Sequence, residues 1–129
     1  MIMQRGAVLC LAVGVVLFGA GIAGAVECVD PGGAGGCFTT IQAAIDAAAV
    51  GDTINVNPGT YIERLTISQS VVLLGAQTGV DPTPGGARVN PAVESIVDFT
   101  SLARLNPNVM IQINTGVSGV TIDGFTLIG

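Results

Sequence analysis

The feature that most constrains this fold is a change of hydrophobic period after Asp52, from the helical value of 3.6 to the strand value of two. Seven runs of three to five β-favouring residues follow, separated by Gly, Pro, Asn and Ser. These predicted strands are residues 53–56, 65–67, 71–74, 96–99, 109–113, 120–122 and 125–128. Strands this short are unsuited to a β-sandwich, so we expect small units that stack.

The predicted strands also repeat along the chain. Aligning residues 71–75, 95–99 and 120–124 superimposes Leu73, Val97 and Ile122 at spacings of 24 and 25 residues. A unit of that length with two or three short strands is typical of one rung of a solenoid. We therefore predict an all-β solenoid in which these three side chains point into the core.

One short helix is predicted before the strands. Thr39 followed by Gln42 matches a capping box, and Gly51 ends the segment. Asp46 is its only charge and is expected to face solvent. So short a helix is unstable alone, and its apolar stripe must pack on another element. That stripe has helical spacing and comprises Ile41, Ala44, Ile45 and Ala48.

Several segments together resemble a known family. The sequences TIQAAIDAA at 40–48, GDTINVNPGTYIE at 51–63, LTI at 65–67 and VLLG at 72–75 resemble the opening of right-handed parallel β-helix proteins of the pectin-lyase-like superfamily. Residues 120–127 resemble a later rung. The resemblance covers roughly residues 38–129 and implies a right-handed parallel β-helix of about three rungs, with a short capping α-helix. Because the superfamily includes lyases, hydrolases, tailspikes and adhesins, the resemblance implies no single activity.

The N-terminal residues 1–25 read as a secretory signal peptide. Arg5 supplies a positive charge, residues 6–22 are uncharged and apolar, and Ala23-Gly24-Ala25 offers a cleavage site. The alternative is a retained anchor, because the uncharged stretch 6–26 is long enough to span a bilayer. Cleavage would yield a secreted or cell-surface protein of bacterial type, without a membrane partner.

Two cysteines remain after such cleavage, Cys28 and Cys37, on either side of a glycine-rich stretch. In an oxidising compartment we expect them to form a disulfide that closes an N-terminal loop, residues 26–38. A zinc site is the poorer alternative, because two thiols in a chain without histidine cannot complete a tetrahedral ligand set. The capping helix and first rungs then occupy residues 39–129.

Composition excludes several classes of function. Four arginines, no lysine and nine acidic residues give a net charge of -5, which disfavours a nucleic-acid partner. The absence of histidine removes the usual general base and any serine or cysteine nucleophile paired with it. No motif points to a catalytic residue or to a cofactor.

Asp98 and Asp123 are the sole candidates for a metal site. If Leu73, Val97 and Ile122 point inward, these two carboxylates would stack on neighbouring rungs and offer oxygen ligands to Ca²⁺. An aspartate before glycine, as at Asp123, is also a common turn former. We therefore expect no metal site.

Two hypotheses for function follow. In the first, the segment is the non-catalytic cap and first rungs of a secreted β-helix protein that binds extracellular polysaccharide, or part of a secreted lyase or hydrolase. In the second, it belongs to a surface adhesin or structural stalk. With one tyrosine and no tryptophan, the chain has few aromatic side chains suited to stacking on sugars, which favours a non-catalytic role. Because Gly129 directly follows a strand, we expect further rungs C-terminal to it.

Overall fold

The computed structural model describes residues 25–82, 90–102 and 109–129. The predicted signal peptide therefore lies outside the described residues, apart from Ala25. The described part contains one α-helix, two 3-10 helices (Ala34–Gly36 and Pro91–Val93) and nine strands. In chain order the elements are β1 (Val26–Val29), α1 (Ile41–Ala47), β2 (Thr53–Val56), β3 (Gly59–Tyr61), β4 (Leu65–Ile67), β5 (Val72–Leu74), β6 (Ser95–Asp98), β7 (Ile111–Ile113), β8 (Thr121–Asp123) and β9 (Phe125–Ile128).

The strands form three short sheets in which every pair is parallel. The first sheet has the order β1-β2-β5-β8, the second β3-β6-β9 and the third β4-β7. From β2 onward the chain visits the first, second and third sheets in turn. From β2 onward, consecutive strands therefore lie in different sheets. Each of them pairs with the strand three places away along the chain.

The structure corrects the predicted fold class. The sheets contain four, three and two strands and do not close, so the domain consists of several short open parallel sheets with one described α-helix. The expected all-β solenoid, a right-handed parallel β-helix of about three rungs, is therefore wrong. The repeat behind it fails because Val97 lies in the second sheet, whereas Leu73 and Ile122 are register partners in the first. The spacing of 24 residues therefore separates Leu73 and Val97, which belong to strands of two different sheets.

Most strand positions were nevertheless predictable. The bounds of β2, β4 and β9 agree with the predicted runs, and those of β5, β6, β7 and β8 differ by one or two residues. The strands that escaped prediction are β1 and β3. Neither shows apolar alternation, since β1 includes Glu27 and Cys28 and β3 opens with Gly59.

The core lies between the sheets and is built by alternation along each strand. In the first sheet Ile54 and Leu73 are register partners and are both fully buried. In the second, Tyr61 pairs with Val97 at 3% and 0% exposure. Ser95, also fully buried, donates its hydroxyl to the Val56 carbonyl oxygen at 2.7 Å. The remaining buried apolar side chains are Val29, Ile41, Ala44, Ile45, Ala48, Val56, Leu65, Ile67, Val71 and Ile96.

Helix α1 is confirmed, but its ends differ from the prediction. Thr40, not Thr39, is the N-cap, and its hydroxyl oxygen accepts a hydrogen bond from the Ala43 amide. The helix ends at Ala47, before Gly51. Gln42 does not close a capping box; its side-chain amide donates to the Asp46 carboxylate at 2.7 Å. The Glu63 carboxylate takes the place of the predicted capping box at the start of the helix.

Candidate interaction surface

One end of the domain is covered by α1. The helix packs on β1, β2 and β4, and its residues Ile41, Ala44 and Ile45 are fully buried. The Glu63 carboxylate accepts hydrogen bonds from the amides of Ile41 and Gln42 at 2.8 and 2.9 Å. These two amides belong to the first turn, where a helix leaves donors unpaired and favours negative charge. Glu63 therefore ties the start of the helix to the segment between β3 and β4.

Two glutamines hold the rest of the helix. The Gln42 side chain accepts from the Thr66 amide at 2.8 Å and donates to the Thr66 carbonyl oxygen at 3.1 Å, so it pairs with β4 as a strand would. Near the other end, the Gln69 amide group donates to the carbonyl oxygens of Ile45 and Ala48. The helix is thus fixed at its first and last turns.

A disulfide-closed loop completes this covered end. Cys28 and Cys37 are bonded, as predicted, with their α-carbons 4.9 Å apart. The Pro31 side chain in this loop lies so close to Gly59 that a β-carbon at Gly59 would overlap it. The loop therefore packs against the start of β3. The first strands of the three sheets are β1, β3 and β4, and α1 packs on β1 and β4 but not mainly on β3.

Asp30 organises the inside of this loop. Its carboxylate accepts hydrogen bonds from the amides of Gly32 and Ala34 at 2.9 and 3.2 Å, and from the Asn57 side chain at 3.2 Å. The bond from Asn57 is the largest of the effects that lower the pKa of Asp30, and the two amides add to it. An ionised Asp30 therefore links the loop to the turn before β3.

The opposite end of the domain is open. Strands β7, β8 and β9 are each the last strand of their sheet, with a pairing partner on one side within the described residues. Their inward-pointing side chains form an apolar surface that we call the open end. It comprises Ile111, Ile113, Ile122, Phe125 and Leu127.

Comparison along each register row shows what the open end lacks. Ile67, Leu73 and Val97 are fully buried, each covered by the next strand of its sheet. Their register partners in those next strands are apolar too, yet Ile113 is 47%, Ile122 37% and Leu127 51% exposed. The difference arises because no further strand covers them in the described structure. The open end is thus core-like in composition and surface-like in exposure.

The open end also lacks the features that protect strand edges. Proteins block exposed edges with lysine, proline or inward-pointing charge. The sequences of β7, β8 and β9 are IQI, TID and FTLI, in which Asp123 is the single charged residue. Asp123 belongs to the outward row, and its carboxylate accepts a hydrogen bond from the Gly79 amide at 3.0 Å. An unprotected edge of this kind can pair with a further strand.

The two aspartates singled out from the sequence do not come together. Asp98 is in the second sheet opposite Ile128, and Asp123 is in the first sheet opposite Leu74, so the predicted stacking on neighbouring rungs is wrong. Asp98 accepts from the hydroxyl and amide of Thr100 at 2.7 and 2.8 Å, and these bonds lower its pKa. Among the described residues, no cluster of three or more cysteine, aspartate or glutamate side chains could hold a metal ion.

Tyr61 is the one tyrosine of the chain, and the structure removes it from the surface. Its side chain is 3% exposed, and its hydroxyl donates to the Asn57 carbonyl oxygen at 2.9 Å. Burial, followed by the charges of Asp30 and Glu63, raises the pKa of Tyr61 to about 12. A ring held in this way is part of the core and cannot stack on a sugar.

Stability should therefore fall as the pH rises through the interval from 10 to about 12. A raised pKa means that the unfolded chain releases the phenolic proton first, so the stabilisation is complete below pH 10 and disappears above pH 12. Tyrosinate absorbance and far-UV circular dichroism, recorded together, should change in one step. Tyr61→Phe is the control, because its unfolding free energy should not vary with pH in this interval. Ionisation of Tyr61 at pH 10 in a fully folded protein would contradict the prediction.

Sequence reasoning missed the open end as a site. The sequence predicted strands at residues 109–113 and 125–128 and an inward side chain at Ile122, but the same pattern describes a strand in the middle of a sheet. Which strands are last in their sheets is a property of the pairing order. The one available signal was the scarcity of charge after Asp98, with Arg104 and Asp123 as the remaining charged residues.

Comparison with known proteins finds no matching family model, curated protein or solved structure. The resemblance to the pectin-lyase-like superfamily accordingly stays a prediction. Within residues 25–82, 90–102 and 109–129, none of the helices is long and apolar enough to cross a membrane.

Proposed function

We propose that this protein is a non-catalytic, extracytoplasmic domain whose open end accepts further β-strands. The observation that carries the proposal is the contrast in three register rows: Ile67, Leu73 and Val97 are fully buried, whereas their partners Ile113, Ile122 and Leu127 are 37–51% exposed. Strand addition supplies affinity through main-chain hydrogen bonds and specificity through alternate side chains.

Energetics support this role. Full burial of an Ile or Leu side chain contributes about 1.5–3 kcal/mol, so covering the exposed part of Ile113, Ile122 and Leu127 would contribute about 1 kcal/mol each. Hydrogen bonds to the outward-facing amides and carbonyls of β7, β8 and β9 would add to that sum. The rigid opposite end, fixed by Glu63 and the disulfide, holds the three edges in place before a partner arrives.

The compartment is part of the same proposal. The Cys28–Cys37 disulfide is a structural bond of the kind that persists in oxidising surroundings, which supports secretion or display at the cell surface. Of the hypotheses raised from the sequence, the adhesive or structural role agrees best with this arrangement. Binding of polysaccharide stays a prediction, and the burial of Tyr61 removes the aromatic side chain best suited to it.

A peptide of residues 119–129, which spans β8 and β9, is a suitable probe because it carries a strand alternation that matches the open end. We expect a fluorescently labelled form to bind the purified protein saturably, as measured by anisotropy. Leu127→Gln in the protein should weaken binding about tenfold, which corresponds to about 1.4 kcal/mol. Ile62→Gln is the matched control, since Ile62 is 57% exposed and lies outside the open end.

A second peptide with alternate amides N-methylated tests the mode of binding. It retains the side chains and loses the donors along one edge, so we expect it not to bind. Equal binding of the methylated peptide would show that the contact is not strand addition. Failure of the unmodified peptide to bind at any concentration would refute the proposed function.

A further inference from the structure

We infer that Asp123 is a modification site, at which aspartate rearranges spontaneously to isoaspartate when the segment of residues 75–79 moves away from it. In the folded protein this segment holds Asp123 in an unreactive conformation. The rearrangement needs no partner at the open end, so it is independent of the proposed function.

Asp123 is the aspartate of this chain that is most open to the reaction, because glycine follows it. The other five aspartates precede Pro, Ala, Thr or Phe, and no asparagine precedes glycine. Rearrangement begins when the backbone nitrogen of the following residue attacks the side-chain carboxyl carbon. Glycine has no β-carbon to hinder that approach, and its backbone is the most adaptable. The sequence therefore selects the pair Asp123-Gly124.

The reaction leaves the atomic composition of the protein unchanged. The Gly124 nitrogen forms a bond to Cγ of Asp123, and one carboxyl oxygen leaves as water, which carries the amide proton and the carboxyl proton. The product is a five-membered cyclic imide. Water then breaks the bond between the nitrogen and the former backbone carbonyl carbon. The main chain now runs through Cβ and Cγ, and the former backbone carbonyl group becomes the side-chain carboxylate.

Ring closure requires a backbone conformation that a strand residue does not have. In the nearly planar ring, the Gly124 nitrogen is eclipsed with Cβ of Asp123 about the Cα–C bond. Asp123 ends β8, and a strand residue with a ψ of about 115–135° points the next nitrogen away from its own side chain. The Cα–C bond must therefore rotate by a large angle, and the Asp123 carbonyl group turns with it.

The segment of residues 75–79 opposes this rotation through hydrogen bonds to both ends of Asp123. The Asp123 carbonyl oxygen accepts from the Gly75 amide at 2.7 Å and from the Thr78 hydroxyl at 3.4 Å. The Asp123 carboxylate accepts from the Gly79 amide at 3.0 Å. These bonds have to break before the ring closes.

Gly124 is held by the same segment. Its carbonyl oxygen accepts from the Gln77 amide at 3.3 Å, and a β-carbon placed on it would overlap the backbone nitrogen of Thr78. The space is therefore too small for the main chain to turn while residues 75–79 stay in place. Rearrangement also lengthens the main chain by one atom between β8 and β9, so a turn that has reacted no longer fits. A transient opening becomes a permanent change.

The peptide of residues 119–129 is the reference, because it contains the same pair without residues 75–79. Peptide and purified protein are incubated side by side at neutral pH, and isoaspartate is measured by mass spectrometry and by methyl transfer from an isoaspartyl methyltransferase. We expect the folded protein to react on the order of 100-fold more slowly than the peptide, because the reaction waits for local opening. Urea below the unfolding transition should accelerate the reaction in the protein and not in the peptide.

Thr78→Val tests the role of the segment, because it removes the hydroxyl that donates to the carbonyl oxygens of Gly75 and Asp123. We expect isoaspartate to form about fivefold faster than in the parent protein. Thr78→Ser keeps the hydroxyl and should react at the parent rate. Thr100→Val is the matched control, since the Thr100 hydroxyl donates to the Asp98 carboxylate in the second sheet and its loss should leave the rate unchanged.

Asp123→Glu establishes the site, because a glutamate would have to close a six-membered ring and should give no product. Circular dichroism establishes that each variant is folded, and the urea series on the parent protein applies if Thr78→Val is not. Equal rates in the folded protein and the peptide, or in Thr78→Val and Thr100→Val, would overturn the inference. So would product that persists in Asp123→Glu, or a peptide that reacts while the protein in urea does not.

Discussion

Replacing Ile45 by Asp should cost about 4 kcal/mol of unfolding free energy, a large part of the stability of a small domain. The Ile45 side chain is fully buried where α1 packs on the sheets. An aspartate there would leave a carboxylate in apolar surroundings without a partner, and the helix would have to lift to hydrate it. Chemical unfolding followed by far-UV circular dichroism measures the loss.

Ala47→Asp provides the matched control. Ala47 is in the same helix, is exposed, and receives the same carboxylate near the same helix end. Its cost should be about 0.5 kcal/mol, because the new charge is hydrated and meets the negative end of the helix dipole only weakly. Similar losses for the two variants would mean that α1 does not seal the core.

Replacing Gly124 by Ala should have the second large effect, about 3 kcal/mol or more. Gly124 has a φ of 81° in the left-handed region, which disfavours any residue with a β-carbon. In addition, an alanine β-carbon would overlap the backbone nitrogen of Thr78, and this contact is made of main chain that cannot rotate away. The turn between β8 and β9 would therefore separate from the segment after β5.

Gly116→Ala separates the effect of backbone strain from that of the steric overlap with Thr78. Gly116 has nearly the same φ, 84°, but a β-carbon there meets open space. Its substitution should cost about 1 kcal/mol, from backbone strain alone. Thermal melts of both variants and the parent protein provide the comparison. If Gly124→Ala were no worse than Gly116→Ala, the close packing of Gly124 on Thr78 would be refuted.

These two predictions concern the covered end and the body of the domain, and they bear on the open end indirectly. The edges of β7, β8 and β9 are useful for binding when they are held at constant spacing. Gly124 lies between β8 and β9, and its carbonyl oxygen accepts a hydrogen bond from the Gln77 amide at 3.3 Å. We therefore regard the tight turn at Gly124 as a support of the open end.

Several features were determined by the sequence alone because they depend on local chemistry. Alternation of apolar residues located seven of the nine described strands, and the stripe that contains Ile41 and Ile45 located the helix. The two cysteines of residues 26–129, nine positions apart, indicated their own pairing. The absence of histidine argued against a serine or cysteine nucleophile paired with that residue. Each of these inferences uses neighbours in the chain.

The tertiary structure decided everything that depends on distant partners. The first turn of α1 is capped by Glu63, a residue 22 positions from Ile41. Val97 and Leu73 belong to different sheets although their local sequences align, which is why the predicted solenoid and the stacked pair of Asp98 and Asp123 are wrong. The alternation of apolar and polar residues along a strand determines which of its faces is buried. The order of pairing decides which strands become neighbours, and so which side chains cover one another.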